Sequence, residues 1–270
     1  MRAALGAGGV AAALSATLMV WGRHRPRIGG LTWERSNHAG DAVTLWEGAA
    51  FAKGAAVGAL AGGSPAGALA AVGGAAFGAL DDHYGDGSSK GLRGHLGALT
   101  RGEVTTGAVK IAGIGATGLG CALLTDRRPA PVGARSGLAT TLVGAAVVAG
   151  AANLVNLLDL RPGRALKATV VVALPLLPGP GGPSGAAALG GALGVIGPDL
   201  RGESMLGDTG ANAAGAMLGV AAIERLGVRG RLLTLTVLTA LTLASERVSF
   251  TQVIESTPVL REIDRWGRRR

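Results

Sequence analysis

Long apolar runs, separated by short polar and basic stretches, divide the chain. Nearly uncharged segments cover 3–21, 46–62, 64–80, 105–124, 136–158, 168–197, 209–223 and 232–245, and only Glu47, Lys53 and Lys110 interrupt them. A helix needs about 20 residues, with a range of roughly 17 to 25, to cross the hydrocarbon of a bilayer. The 168–197 run exceeds one ordinary span and carries Pro178-Gly179-Pro180-Gly181-Gly182-Pro183 at its middle. That break predicts two short spans joined by a turn. The roughly 40 residues from Asp159 to Asp199 extend to about 60 Å as helix, enough for two crossings. Nine spans result. The first run follows only Arg2 and shows no cleavage site before Trp21, so it is expected to be a retained span rather than a signal peptide.

Composition narrows the kind of packing. Of 270 residues 48 are glycine and only eight are aromatic, while 48% are hydrophobic and 16% charged. No Gly-X-Y period accompanies the glycine, and the polar enrichment of a disordered chain is missing. Glycine at this density suits helices that touch inside lipid, where close backbone packing takes the place of an aqueous hydrophobic effect. Gly-x-x-x-Gly pairs at Gly54/Gly58/Gly62, Gly74/Gly78, Gly190/Gly194 and Gly215/Gly219 agree with that.

The single cysteine, Cys121, allows no internal disulfide and no Cys-x-x-Cys metal site, so any metal must sit on oxygen or histidine. The net charge of +9 is not interleaved with stacking aromatics, and nucleic acid is not an expected partner. Nine alternating spans put 17 Lys and Arg residues on one side and 7 on the other, with Lys53 and Lys110 inside spans. The positive-inside rule then sets the N-terminus outside and the C-terminus in the cytoplasm. The expected fold is all-α, a polytopic helical bundle in the cell membrane. Residues 1–250 form one membrane domain with cytoplasmic loops near 22–45, 81–104, 159–167 and 198–208. Residues 251–270 form a basic amphipathic tail whose Ile254, Val259, Leu260, Ile263 and Trp266 are expected to lie on anionic lipid.

This topology brings the conspicuous acidic motifs to one face. Asp81-Asp82 follows the third span; two adjacent carboxylates at a membrane surface suit a cation such as magnesium, which accepts one or two protein carboxylates and completes its shell with water and phosphate. A solvated loop boundary is the plainer alternative. Asn153, Asn156 and Asp159 recur at i, i+3 and i+6 along one helical stripe, followed by Arg161 and Arg164. Polar contact between helices would account for one such Asn, and three in register favour a site. In Met205-Leu206-Gly207-Asp208-Thr209-Gly210-Ala211-Asn212, Asp208 and Thr209 either cap the next helix or hold phosphate and metal at its N-terminus. Lys90 lies shortly after the Asp pair, and Asn37 in the first basic loop offers a further phosphate contact. Gly91, Gly207 and Gly210 lie inside these motifs, where a missing side chain would let backbone approach phosphate.

Taken together, the motifs resemble those of the polyprenyl-phosphate N-acetylhexosamine-1-phosphate transferases, the family of phospho-MurNAc-pentapeptide translocase and related GlcNAc-1-phosphate transferases. Leu80-Asp81-Asp82 with Lys90-Gly91-Leu92 is similar to the family's Asp-Asp loop and Lys-Gly-Leu. Asn153-x-x-Asn156-x-x-Asp159 is similar to its Asn-x-x-Asn-x-x-Asp-Gly segment, and the Gly207-Asp208-Thr209-Gly210 stretch to its Met-Gly-Asp-Thr-Gly-Ser. The resemblance spans roughly residues 20 to 250. It implies transfer of a sugar 1-phosphate from a nucleotide sugar, usually a UDP-sugar, to polyprenyl phosphate, with release of UMP, for cell-envelope glycan synthesis. It further implies magnesium, or manganese in its place, at Asp208 and Asp82, and catalytic roles for Asp81, Asp82, Asp159 and Asp208. Lys90, Asn153, Asn156, Arg161, Arg164, Thr209, Asn212 and Asn37 would contact substrate. Expected partners are polyprenyl phosphate, a nucleotide sugar, the bilayer and a second copy of the chain. The family's second Asp and its His-rich loop are not matched: Asp159 is followed by Leu160-Arg161-Pro162-Gly163-Arg164, and all four histidines lie in the first 95 residues. Two other readings stay open, an intramembrane prenyltransferase using Asp81-Asp82-x-x-x-Asp86, and a catalytically silent scaffold that binds polyprenyl phosphate.

Overall fold

The structure is a computed structural model that describes residues 1–36, 40–85, 97, 100–127 and 137–268. It is mostly helical, 76% helix, with eleven helices among the described residues. Nine run in sequence: α1 (Arg2–Gly22), α2 (Trp46–Ala61), α3 (Pro65–Tyr84), α4 (Thr106–Asp126), α5 (Leu138–Leu158), α6 (Arg164–Ala173), α7 (Gly182–Leu200), α8 (Gly207–Arg225) and α9 (Val228–Ser245). Two short ones follow, α10 (Phe250–Ser256) and α11 (Pro258–Arg265).

Each apolar run of the sequence is a helix, and the 168–197 run is divided as its Pro-Gly cluster predicts. α6 passes into a 3-10 turn at Leu174–Leu176 before α7 begins at Gly182. Four helices, α1, α4, α5 and α9, are long and apolar enough to cross a membrane. The others differ for a physical reason. α2 has 16 residues and α6 only ten, about 15 Å of helix for the latter, while α3, α7 and α8 combine glycine with the charged, polar or proline residues at their ends.

One departure from an all-α chain falls in the first basic loop. β1 (Arg27–Ile28) pairs with β2 (Leu31–Thr32), and β3 (Glu34–Ser36) with β4 (Ala42–Thr44), both antiparallel. Gly29 and Gly30 form the two-residue turn of the first hairpin with φ of 63° and 79°, the left-handed pair that a type I′ turn requires.

α8 is the axis of the bundle. Every residue from Thr209 to Ile223 is buried, and it packs against α3 and α5, with α2 and α7 beside it. Glycine makes this possible. A Cβ on Gly74 of α3 would stand 2.8 Å from the Ala213 backbone, and one on Gly78 would strike the Asp208 carbonyl. On the other side, a Cβ on Gly219 would lie 2.7 Å from Val148 Cα, and one on Gly215 would collide with Ala151. Gly58 and Gly190 bring α2 and α7 against the backbone of α1 in the same way. The Gly-x-x-x-Gly pairs are therefore helix contacts, where backbones meet at distances that no larger residue permits.

Successive helices run up and down, so alternate termini gather at one end. Trp21 at the end of α1 stacks 5.7 Å from Trp46 at the start of α2. The end of α3 meets the starts of α4 and α8, and Gly163 before α6 donates its N–H to Asp199 in the last turn of α7. The opposite end is tied by a Ser64–Ser184–Glu224 hydrogen-bond cluster and by a buried Arg231–Asp126 pair at 2.9 Å.

Candidate active site

The last turn of α3 carries Asp81 and Asp82, and the two carboxylates do different work. Asp82 turns toward α8. Its Oδ1 accepts from the Asp208 N–H at 3.1 Å, and its Oδ2 from the Thr209 N–H at 2.8 Å and the Thr209 hydroxyl at 2.6 Å. No side chain of α8 itself caps the helix. An acid from another helix satisfies the unpaired N–H groups of its first turn and sits favourably against the positive end of its dipole. Thus Asp208 and Thr209 are not the cap but are capped. Gly207 precedes them with φ of 63°, and a Cβ there would stand 3.0 Å from both Asp82 Oδ2 and Leu45. Only glycine suits both the backbone conformation and the space.

Asp81 turns the other way, toward the first turn of α4. The Thr106 hydroxyl donates to its Oδ1 at 3.0 Å and the Lys110 ammonium to its Oδ2 at 2.6 Å. The same ammonium reaches Asp208 Oδ2 at 2.5 Å. Thr106 and Lys110 lie at i and i+4, so they share one face of α4. The result is a cation held between two carboxylates from different helices, all three side chains mostly withdrawn from water.

Lys110 borders a cleft of about 330 Å³ between α4, α5 and α9. Its lining is mixed: Asn153, Asn156, Asn212, Thr242 and Glu246 are polar, and Ile111 and Ile114 apolar. Asn212 also donates to the Asp208 carbonyl at 2.8 Å, and Asn153 donates to Thr242 on α9 at 3.2 Å. Asp159 lies just past the end of α5, near Asp199 and Asp208. Burial pushes its carboxyl well above the usual range, and the nearby Asp199 and Asp208 carboxylates push the same way.

The segment that leads into α8 is fastened separately. Glu47, fully buried in the first turn of α2, accepts a hydrogen bond from the Ser204 hydroxyl. Thr44 of β4 accepts from the Met205 N–H at 3.0 Å. These contacts fix the approach to Gly207.

The structure thus unites Asp81, Asp82, Asp159, Asp208, Thr209, Asn156 and Asn212 at one end of the bundle, with Asn153 further along the cleft. Arg161 and Arg164 are elsewhere engaged. Arg161 is exposed and lies 3.7 Å from Glu255, while Arg164 is buried against Asp264 of the tail. Lys90 and Asn37 lie outside the described residues. Two contributors were not expected. Lys110 looks in the sequence like a lysine near a span end that reaches for water, and Glu47 like an interruption of an apolar run. Their signal was charge inside an otherwise apolar run, Lys110 by itself in one and Glu47 with Lys53 in the other.

Carboxylate oxygens that already enclose one cation are the donor class that magnesium takes. Among the described residues, no group of three or more His, Cys, Asp or Glu is placed to hold a metal ion. Both oxygens of Asp82, expected to hold the metal, are instead taken in capping α8, so an ion here would rest on Asp208 and need substrate phosphate and water to complete its shell. Gly210, expected beside phosphate, instead meets α2: a Cβ there would stand 2.7 Å from Gly48 Cα. No protein-family model matches the sequence, and no curated protein matches it significantly.

Proposed function

We propose that this chain is a membrane-embedded phosphoglycosyl transferase that moves a sugar 1-phosphate from a nucleotide sugar to polyprenyl phosphate. The observation that carries the reading is Lys110 held between Asp81 and Asp208 at a cleft whose lining includes the apolar Ile111, Ile114, Ala149 and Leu157. Such a site offers charge for a phosphate and a dry wall for a prenyl chain, the two parts of one substrate. The order and spacing of the Asp-Asp, Asn-x-x-Asn-x-x-Asp and Gly-Asp-Thr-Gly motifs supply the family reading, with nine spans and a cytoplasmic site.

In this reaction an oxygen of the lipid phosphate attacks the sugar-bearing phosphorus of the nucleotide sugar. The bond from that phosphorus to the bridging oxygen breaks, and UMP leaves with the electron pair. Asp208 would hold a magnesium or manganese ion, with Asp82 steadying Asp208 through its backbone N–H; the ion supplies neutralisation of charge on the diphosphate when bound. Lys110 is positioned to exchange one of its carboxylate partners for a phosphate oxygen. Asp81 orients Lys110, and Asn156, Asn212 and Asp159 order the donor. Catalysis then rests on placement and fixed charge.

The test is purified protein with magnesium, polyprenyl phosphate and a panel of UDP-sugars, following UMP release and a lipid diphosphate product. Product with at least one donor is expected. Retained binding of polyprenyl phosphate with no product from any donor would replace the enzyme by the scaffold.

A further inference from the structure

The C-terminal helices are latched to the bundle through their polar face. Arg164, the first residue of α6, donates from Nε to Asp264 Oδ1 at 2.8 Å and from Nη2 to Oδ2 at 3.1 Å, and from Nη1 to the Thr251 hydroxyl at 2.9 Å. Arg268 adds a bond to Asp264 at 2.7 Å and another to the Pro162 carbonyl at 2.7 Å. Lys167, one turn along α6, donates to the carbonyls of Ile263, Asp264 and Trp266 at the end of α11. A cation there meets the negative end of the α11 dipole.

At 100° per residue, Val259, Leu260 and Ile263 form one continuous arc of α11 beside the face that carries Asp264, and Trp266 follows just past the helix end. The arc and Trp266 are bare: Val259 is 68% exposed, Ile263 53% and Trp266 76%. Its position says what covers it. α10 starts a few residues after α9, and α11 sits on the first turn of α6, which follows α5 by a short loop. α5 and α9 are both long and apolar enough to cross a membrane. α11 therefore lies at the level where two such helices leave the apolar layer. The exposed Val171, Val172 and Leu174 continue the apolar surface down α6.

We propose that α10 and α11 form an in-plane strap whose apolar arc is embedded in the headgroup–acyl boundary of the bilayer, while the Arg164–Asp264–Arg268 latch ties the strap to the α5–α6 loop. An amphipathic helix with Trp at its rim and Arg261 and Arg265 on its polar side suits that boundary. The inference is independent of the transferase reading and rests on the chain residing in a bilayer.

The experiment reconstitutes the full chain, and its Trp266→Phe variant, in phosphatidylglycerol/phosphatidylcholine vesicles with or without brominated acyl chains. The Trp266 emission is the difference between the two proteins. It is expected to be quenched by shallow bromine more than by deep bromine. Emission that stays unquenched while Trp21, the exposed tryptophan at the end of α1, is quenched would overturn the strap and keep the membrane protein. No quenching of any tryptophan would overturn both. A Val259→Ser/Ile263→Ser variant, which leaves the latch intact, should lose the Trp266 quenching. Retained quenching in that variant, or loss of quenching that tracks dimer formation by cross-linking, would also sink the assignment.

Discussion

At the scale of the residue, the site turns on three acids with three environments. Asp208 shares a cation, Asp81 orients it, and Asp82 caps a helix. These roles predict different failures. Asp208→Asn keeps the size of the side chain and should leave thermal unfolding in detergent nearly unchanged while abolishing UMP release. Asp82→Asn removes half the acceptors at the start of α8. It should lower stability by about 1 kcal/mol, the typical worth of an N-terminal cap, as well as turnover. Lys110→Ala should reduce kcat on the order of 10²- to 10³-fold, the loss seen when one preorganised charge donor is removed. Full activity in Lys110→Ala would show that its contacts with Asp81 and Asp208 are structural only. The acids were legible in the sequence because paired or evenly spaced carboxylates are rare beside apolar runs. Lys110 was not. A lysine one turn inside a span can always be assigned to the nearest water, and only the packing of α3 and α8 against α4 reveals two carboxylates there instead.

At the scale of the element, glycine decides how close the acids can come. α3 approaches α8 so nearly that its Gly78 faces the Asp208 backbone, which cannot rotate away as a side chain could. Gly78→Ala should cost about 1–3 kcal/mol, the range for overpacking a filled interior, and should also lower turnover by displacing Asp208 from Lys110. A Cβ added to Gly115 of α4 would meet nothing within 4 Å, so Gly115→Ala should be neutral or stabilising by up to about 1 kcal/mol through helix propensity. Denaturation of the two variants in the same detergent checks the contrast, and equal losses would refute it. The nine helices could be read from the lengths of the apolar runs and their breakers, since Pro178 to Pro183 cannot continue a helix. Which glycines serve contact and which serve chemistry could not. Gly207 and Gly210 carry the same motif signature, yet one permits a left-handed turn beside Asp82 and the other lets α8 cross α2 at Gly48.

For the whole molecule, the buried titratable tie between the tail and the bundle is the Arg164–Asp264 pair, so the acid dependence of that part of the joint can be derived. Burial works to raise the Asp264 carboxyl, but its hydrogen bonds and charge contact with Arg164, aided by Arg268 and Lys167, outweigh burial and hold it below the usual carboxylate range. An acid whose folded value is depressed contributes stability above its unfolded pKa, about 3.9 for Asp, and that contribution disappears as pH falls through the folded value. The strap should therefore stay latched through neutral pH and release only below about pH 4, seen as cleavage of the tail by pepsin, which is active at that pH, with the tail resistant to trypsin at neutral pH. Asp264→Asn should be cleaved at neutral pH without acidification, because removing one partner leaves the Arg164 guanidinium buried and uncompensated, a loss of roughly 3–5 kcal/mol in such pairs. Sequence order hides this link, since Arg164 and Asp264 stand 100 residues apart. It was Arg164's place after the Asn-x-x-Asn-x-x-Asp stripe that suggested a phosphate contact. Release of the strap with unchanged UMP production would separate the two ends of the loop, with Gly163 still fastened to Asp199. A fall in turnover that follows cleavage would instead show that the latch helps to hold Asp159 in place.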